Sequence, residues 1–230
     1  MSGDASDPEA AGFVLAGGRS SRMGRDKALL ELGSKPLCGQ PLVAHALGIL
    51  TAAGFDASIA GGDPSLASFA PLVPDRLPDL GPLSGICNAL ASTPAQYAVF
   101  LSVDAPFLPA SLLRFLLHHA QITAHAVTAC SLNGFAQTFP AVVNRVALPW
   151  LSRELEAARG GCFAAFQAAA AALNQPMSVL AVEELAQCGQ ATHPHALPPL
   201  RWFMNVNTEA EFERAQLQWK SLTASADRVS

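Results

Sequence analysis

Apolar positions in this chain fall into two kinds of run. Short unbroken runs read as buried strands, and longer runs at helical spacing read as helices packed on them. The first unbroken run is Phe13 to Ala16. From Pro41 onward, Leu42, Ala46, Ile49, Leu50 and Ala53 recur at helical spacing, and Gly54 supplies a stop. Phe55 to Ala60 predicts a second strand, Leu72-Val73-Pro74 a short third one, and Ile86 to Ala91 a helix. Tyr97 to Val103 is the most apolar run and shows no alternation. That pattern belongs to a strand buried on both faces of a parallel sheet. Pro109-Ala110-Ser111 opens a further helix, with Leu112, Leu113, Leu116 and Leu117 on one side. The order strand–helix–strand–strand–helix–strand–helix predicts an α/β protein: a single doubly wound, largely parallel sheet with helices on both faces.

The second half carries weaker periodicity. Strands are expected over 124–130, 139–144 and 177–182, and helices over 148–158 and 163–173. Thr208-x-x-Glu211 is a capping box, so a last helix starts there, with Phe212, Ala215 and Trp219 as its apolar stripe. No repeat or linker divides the chain. The expected organisation is a flexible leader over 1–11, one domain over 12–220 and a tail over 221–230.

Composition narrows the class. Of 230 residues, 50% are hydrophobic and 14% charged, which excludes a disordered chain. Lys and Arg number 14 against 18 Asp and Glu, a net charge of −4. This balance is no footprint for nucleic acid or an anionic membrane surface. No apolar run approaches the roughly 18 residues a membrane span requires. The five cysteines, Cys38, Cys87, Cys130, Cys162 and Cys188, form no C-x-x-C pair and read as reduced, mostly buried thiols of a cytoplasmic protein. His45 reads as a structural histidine of the first helix. His193-Pro194-His195 has no further metal ligand near it in sequence.

The concentrated chemistry lies where predicted strands end. After the first strand comes Gly17-Gly18-Arg19-Ser20-Ser21-Arg22-Met23-Gly24-Arg25-Asp26-Lys27. Glycines let backbone approach a ligand closely, successive N–H groups make an anion-binding nest, and Arg and Lys supply charge. Neither the P-loop spacing nor the dinucleotide fingerprint Gly-x-Gly-x-x-Gly is present. Asp75 follows the third strand and Asp104 ends the central one. In open α/β sheets, ligands lie beyond the carboxyl ends of the strands, so these features share one expected cleft. Such a cleft suits nucleotidyl transfer, which relies on positioning and charge stabilisation. The loop from Leu15 to Gly24 would cradle a triphosphate, and Arg22 and Lys27 would balance the charge that builds on pyrophosphate. Asp104 either holds Mg²⁺ together with phosphate oxygens or caps the turn that follows it.

The pattern Leu15-Ala16-Gly17-Gly18-x-Ser20-x-Arg22-Met23-Gly24-x-Asp26-Lys27 resembles the opening loop of the nucleotidyltransferase superfamily, and within it the molybdenum cofactor guanylyltransferases. Gly81-Pro82-Leu83-Ser84-Gly85, Asp104-Ala105-Pro106-Phe107 and Asn205-Val206-Asn207-Thr208 match three further motifs of that family in order. The resemblance covers roughly residues 12–217. It implies a Rossmann-like nucleotidyltransferase fold and transfer of GMP from GTP to the terminal phosphate of molybdopterin. By analogy Leu15, Ala16, Gly17, Gly18, Lys27 and Asp75 bind the nucleotide, Asp104 binds nucleotide and Mg²⁺, and Asn205 and Asn207 face the acceptor. It also implies transient contact with other proteins of that pathway. Two departures stand out. Ala60-Gly61-Gly62 lacks an asparagine that family members carry after the second strand, and Gly134 to Pro140 lacks a frequent His-Pro. A CTP-dependent sister enzyme, another NTP-dependent nucleotidyltransferase and a nucleotide-binding protein without turnover remain alternatives. The Gly17-Gly18 pair favours GTP, because the CTP enzymes tend to carry Leu-Ala-Ala-Gly.

Overall fold

The computed structural model describes residues 9–17, 26–33, 39–75, 77, 80–157 and 161–226. The expected leader up to residue 8, residues 34–38 and the end of the expected tail at 227–230 lie outside them. The first apolar run becomes β1 (Ala10–Leu15). Two short strands, β2 (Glu31–Leu32) and β3 (Gln40–Pro41), form a separate antiparallel ribbon ahead of α1 (Leu42–Ala52). Next come β4 (Ala57–Ala60), β5 (Leu72–Val73), α2 (Pro82–Ser92), β6 (Tyr97–Ser102) and α3 (Ala110–Thr123). The second half holds β7 (Val127–Leu132), β8 (Phe135–Asn144), α4 (Leu148–Glu156), α5 (Cys162–Ala172) and β9 (Ser178–Ala181). Three helices close the described chain: α6 (Val182–Gln187), α7 (Pro199–Trp202) and α8 (Glu209–Ala226).

Seven strands make one sheet in the order β5-β4-β1-β6-β8-β7-β9. Every strand runs parallel to β1 except β8, which is antiparallel to both neighbours. The expected largely parallel α/β sheet is therefore present. The absence of alternation in β1 and β6 has a direct cause. Val14, Val99 and Leu101 face the core built with α1, α3 and α6 to α8. Phe13, Leu15, Ala98 and Phe100 face a second core built with α2, α4 and α5. Phe13 and Phe100 stack there, ring centroids 5.7 Å apart.

The second half departs from expectation at its turns. Ala124 takes a left-handed φ of 52° as the cap of α3, so the strand expected from 124 begins only at Val127. Asn133 and Gly134, at φ 51° and 77°, make a tight reversal. This joins β7 to β8 as a hairpin and carries β8 back to Phe135, four residues before the start expected at 139. A two-residue connection with both φ values positive suits the right-handed twist of paired strands. The helix expected from Ile86 starts a turn earlier, at Pro82, whose fixed φ is suited to a first helical position. The last helix continues six residues beyond the expected boundary at 220, to Ala226.

Candidate functional site

Three chain segments meet beyond the carboxyl ends of β1 and β6. The N–H of Val103 donates to the carbonyl of Leu15 at 3.2 Å, which extends the β1–β6 pairing past the strand ends. Asp104 follows immediately. Its own carbonyl accepts from the N–H of Val206 at 2.9 Å, and this bond draws the Asn205–Thr208 segment against the sheet end. Val206 is fully buried, so the chain is pinned there between two asparagines.

Lys27 completes the cluster. Its ammonium lies 3.3 Å from Asp104 Oδ2 and donates to Asn207 Oδ1 at 2.7 Å. Lys27 and Asp104 are 17% and 18% exposed, so the pair is sheltered yet reachable. Local structure holds each member. Asp26 caps a short turn of 3₁₀ helix over Lys27–Leu29 by accepting from the N–H of Ala28 at 2.9 Å. Ala28 and Leu30 are buried, and Leu30 accepts from the N–H of Leu42 at the start of α1. At the other end, the expected capping box forms in part. The Glu211 N–H donates to Thr208 Oγ1 at 3.3 Å, while the Glu211 carboxylate accepts from the N–H of Asn207 at 2.8 Å. That bond is the main reason the Glu211 carboxyl titrates below the usual carboxylate range. The asparagine that touches Lys27 is thus tied by its own backbone to α8. Asn205 is exposed on the other side of Val206.

Outward from β1, the cleft floor carries almost no side chain. Ala16 donates its N–H to Ala60 O at 3.2 Å. Gly17 packs beside Gly61 and Gly62; a Cβ on Gly61 would lie 3.5 Å from Gly17 Cα. Gly62, at φ 97°, admits no side chain, because a Cβ would fall 2.8 Å from Leu66 Cδ1 and 3.2 Å from Ala16 O. Gly61 donates to Val73 O at 3.0 Å, and two residues beyond Val73 stands Asp75. Asp75 Oδ1 accepts from Ser84 Oγ, from Asn88 Nδ2 at 3.4 Å and from the N–H of Leu77 at 3.1 Å. Ser84 and Asn88 lie one turn apart on α2, and Ser84 is 1% exposed.

Of the residues singled out in the sequence, Lys27, Asp104 and Asn207 therefore meet. Leu15, Ala16, Gly17 and Asp75 line the same end of the sheet, over β1, β4 and β5. Gly18 and Arg22 lie outside the described residues. Among the described residues, no group of three or more His, Cys, Asp and Glu is gathered as a metal cage. Asp104 is a hard oxygen donor beside a phosphate-compatible floor. A magnesium ion takes one or two carboxylates and completes its shell with phosphate oxygens and water, so this donor set fits it. Ser84, Asn88 and Glu211 were not singled out as polar partners of the site. The Ser84 and Asn88 bonds cross 9 and 13 residues, and the local Glu211–Asn207 bond matters to the site only because the segment before α8 docks there.

A parallel β5-β4-β1-β6 half-sheet with glycines and a lysine–carboxylate pair beyond its strand ends defines an open α/β protein with a polar cleft where such sheets bind their ligands. The description MobA-like NTP transferase domain matches residues 12–172, and the chain belongs to that family. A molybdenum cofactor guanylyltransferase of Xanthomonas euvesicatoria pv. vesicatoria is 44% identical over 112 residues, which are 48% of this chain and 54% of that protein. The chain thus spans about half the length of the curated relative it matches at this level. A probable molybdenum cofactor guanylyltransferase of Carboxydothermus hydrogenoformans is 26% identical over 202 residues, covering 87% of this chain and 92% of that one. The crystal structure of molybdopterin-guanine dinucleotide biosynthesis protein A from Archaeoglobus fulgidus superposes with a TM-score of 0.72 at 19% identity, over 92% of this chain and 99% of that one. This last likeness is one of fold.

Proposed function

We propose that the protein transfers GMP from GTP to the terminal phosphate of molybdopterin, forming the guanine dinucleotide cofactor and releasing pyrophosphate. The observation that carries this reading is the meeting of Lys27, Asp104 and Asn207 beside a bare glycine floor. The names borne by the relatives point to the same reaction. In the transfer, an oxygen of the acceptor phosphate bonds to the α-phosphorus of GTP. The bond from that phosphorus to the bridging oxygen breaks, and pyrophosphate leaves.

In this reading the triphosphate lies along the Leu15–Gly18 segment, where backbone can approach it without interference from side chains. Lys27 leaves Asp104 for the phosphates and stabilises the charge that grows on the leaving group, together with Arg22. Asp104, released from its ion pair, would be the carboxylate that holds Mg²⁺, and the ion would supply positive charge against the phosphates. A structural neighbour from Mycobacterium tuberculosis, solved in complex with manganese, is consistent with a divalent ion in this fold. Asn207 steadies Lys27 through the exchange, and Asn205, on the same segment, faces the acceptor. Gly17-Gly18 favours GTP over CTP. Cytoplasmic location and transient contact with other proteins of the cofactor pathway belong to the same reading.

The test is pyrophosphate release by purified protein supplied with molybdopterin, Mg²⁺ and one nucleotide at a time. Release with GTP and little with CTP is expected. Release with CTP alone makes it the cytidylyl enzyme. Nucleotide binding without release under any condition makes it a binding protein.

A further inference from the structure

The last helix is mounted on the segment that carries the site lysine. Gln216 of α8 accepts from the N–H of Gly33 through Oε1 at 2.9 Å and donates to the carbonyl of Glu31 through Nε2 at 2.7 Å. Glu31 follows Lys27 by four residues, so α8 and the lysine turn share one support. Ala215 is fully buried, and Trp219 meets His45 edge to face with ring centroids 4.6 Å apart. A helix fixed along its middle in this way is a firm base for whatever its first turn holds.

That first turn holds Asn207. An ordinary capping box gives the acid at the third helical position the N–H of the cap residue, here Thr208. The Glu211 carboxylate bonds instead the N–H one residue earlier, that of Asn207, through Oε2 at 2.8 Å. Among the groups that lower the Glu211 carboxyl, this N–H acts ahead of Thr208. The preceding N–H, that of Val206, is taken by the Asp104 carbonyl at 2.9 Å. Both peptide groups flanking Val206 are therefore anchored, and the Cα of Asn207 is set in place. From there Asn207 Oδ1 accepts from Lys27 Nζ at 2.7 Å, and the same ammonium lies 3.3 Å from Asp104 Oδ2. Asn207 is only half-buried, so packing alone does not hold it as it holds Val206. With the Glu211 acceptor gone, the peptide between Val206 and Asn207 turns toward water and carries the amide off the lysine.

We propose that Glu211 is a positioning residue: its carboxylate fixes the Asn207 peptide so that the asparagine side chain aims Lys27 into the cleft. The place of this aim in catalysis rests on the guanylyl-transfer reading. Glu211 acts only through Asn207, and its bond to a charged acceptor is of the stronger kind.

A double-mutant cycle separates this role from general support of α8. Wild type, Glu211→Ala, Glu211→Gln, Asn207→Ala and the Glu211→Ala/Asn207→Ala pair are compared by pyrophosphate release with GTP, molybdopterin and Mg²⁺. Calorimetric binding of inorganic tripolyphosphate is measured on the same five proteins. Glu211→Ala is expected to lower kcat/KM and tripolyphosphate affinity roughly fivefold, the size of one hydrogen bond. Glu211→Gln keeps an acceptor oxygen and loses less than about twofold. On the Asn207→Ala background, Glu211→Ala changes neither quantity further, because the two residues act as one unit. A second fivefold loss on that background overturns the proposal, since Glu211 then acts by another route. Undiminished values in Glu211→Ala overturn it as well, and so does a loss in Glu211→Gln as large as in Glu211→Ala. If wild type releases no pyrophosphate with any nucleotide, the guanylyl-transfer reading fails, and the tripolyphosphate cycle alone decides whether Glu211 aims Lys27.

Discussion

Lys27 Nζ contacts a carboxylate and an amide, Asp104 Oδ2 at 3.3 Å and Asn207 Oδ1 at 2.7 Å. The shorter bond aims the ammonium, and the longer ion pair offsets part of its charge. On the proposed reaction, Lys27→Ala removes charge needed by the leaving group and lowers kcat/KM by roughly a hundredfold. Asn207→Ala removes only the aim and costs roughly tenfold. Steady-state pyrophosphate release measures both, and wild-type kinetics in Asn207→Ala would show that this bond has no part in transfer. The thiols give a second residue-scale expectation. Burial pushes Cys130 up to about 12 and Cys87 and Cys162 up to about 11, whereas Cys188 is exposed. The reactive species is the thiolate. Iodoacetamide at pH 8 is expected to label Cys188 on the native protein, and the three buried thiols only after denaturant is added. Peptide mapping that finds Cys130 modified in the native state would contradict that burial.

At the scale of elements, turns decide how the second half is built. Gly134 holds φ 77° in the β7–β8 reversal, and a Cβ there would meet open space. Gly134→Ala is therefore a pure backbone test, expected to cost about 1 kcal/mol for a left-handed non-glycine residue. An unmoved urea midpoint would show that the reversal relaxes without penalty. The expected strands over 124–130 and 139–144 left the reversal unplaced, although Asn-Gly between apolar runs is a hairpin signal. Most of the sheet was legible too, because β1 and β6 are apolar on both faces and no other element tolerates such a run. The residues at strand ends, Gly17, Asp75 and Asp104, followed from the strands. What bonds cross between elements was not legible. Lys27 and Asn207 are 180 residues apart. The docking of the segment before α8, through the Val206 N–H on the Asp104 carbonyl, brings the asparagine to the lysine, and Glu211 holds its backbone. The capping box was visible in sequence, but not its use in holding a site residue.

For the molecule as a whole, half-buried histidines contribute to the response to acid. Burial, with His195 nearby, lowers His193 to about 4, and burial also lowers His45 and His119 from 6.5. Unfolded histidines then bind more protons than folded ones between about 6.5 and 4, so stability rises with pH across that window and is lost on acidification. Glu211, lowered from 4.5, has the same sign at the acid end: its contribution is present above that value and lost below it. Urea unfolding at pH 4.5, 5.5 and 6.5 is expected to show increasing midpoints, with a shallower rise in His193→Gln. An identical slope in that variant would remove His193 as a contributor. The cleft is likewise a property of the whole molecule, assembled from β1, β5, β6 and the segment before α8. It is tested most directly by a crystal structure with GTP and Mg²⁺ bound and no acceptor present. Magnesium is expected bonded to Asp104 and to phosphate oxygens, with Lys27 Nζ moved onto the phosphates and the nucleotide in contact with Asp75. Nucleotide bound elsewhere, or Asp104 still paired with Lys27 and no metal beside it, would contradict it.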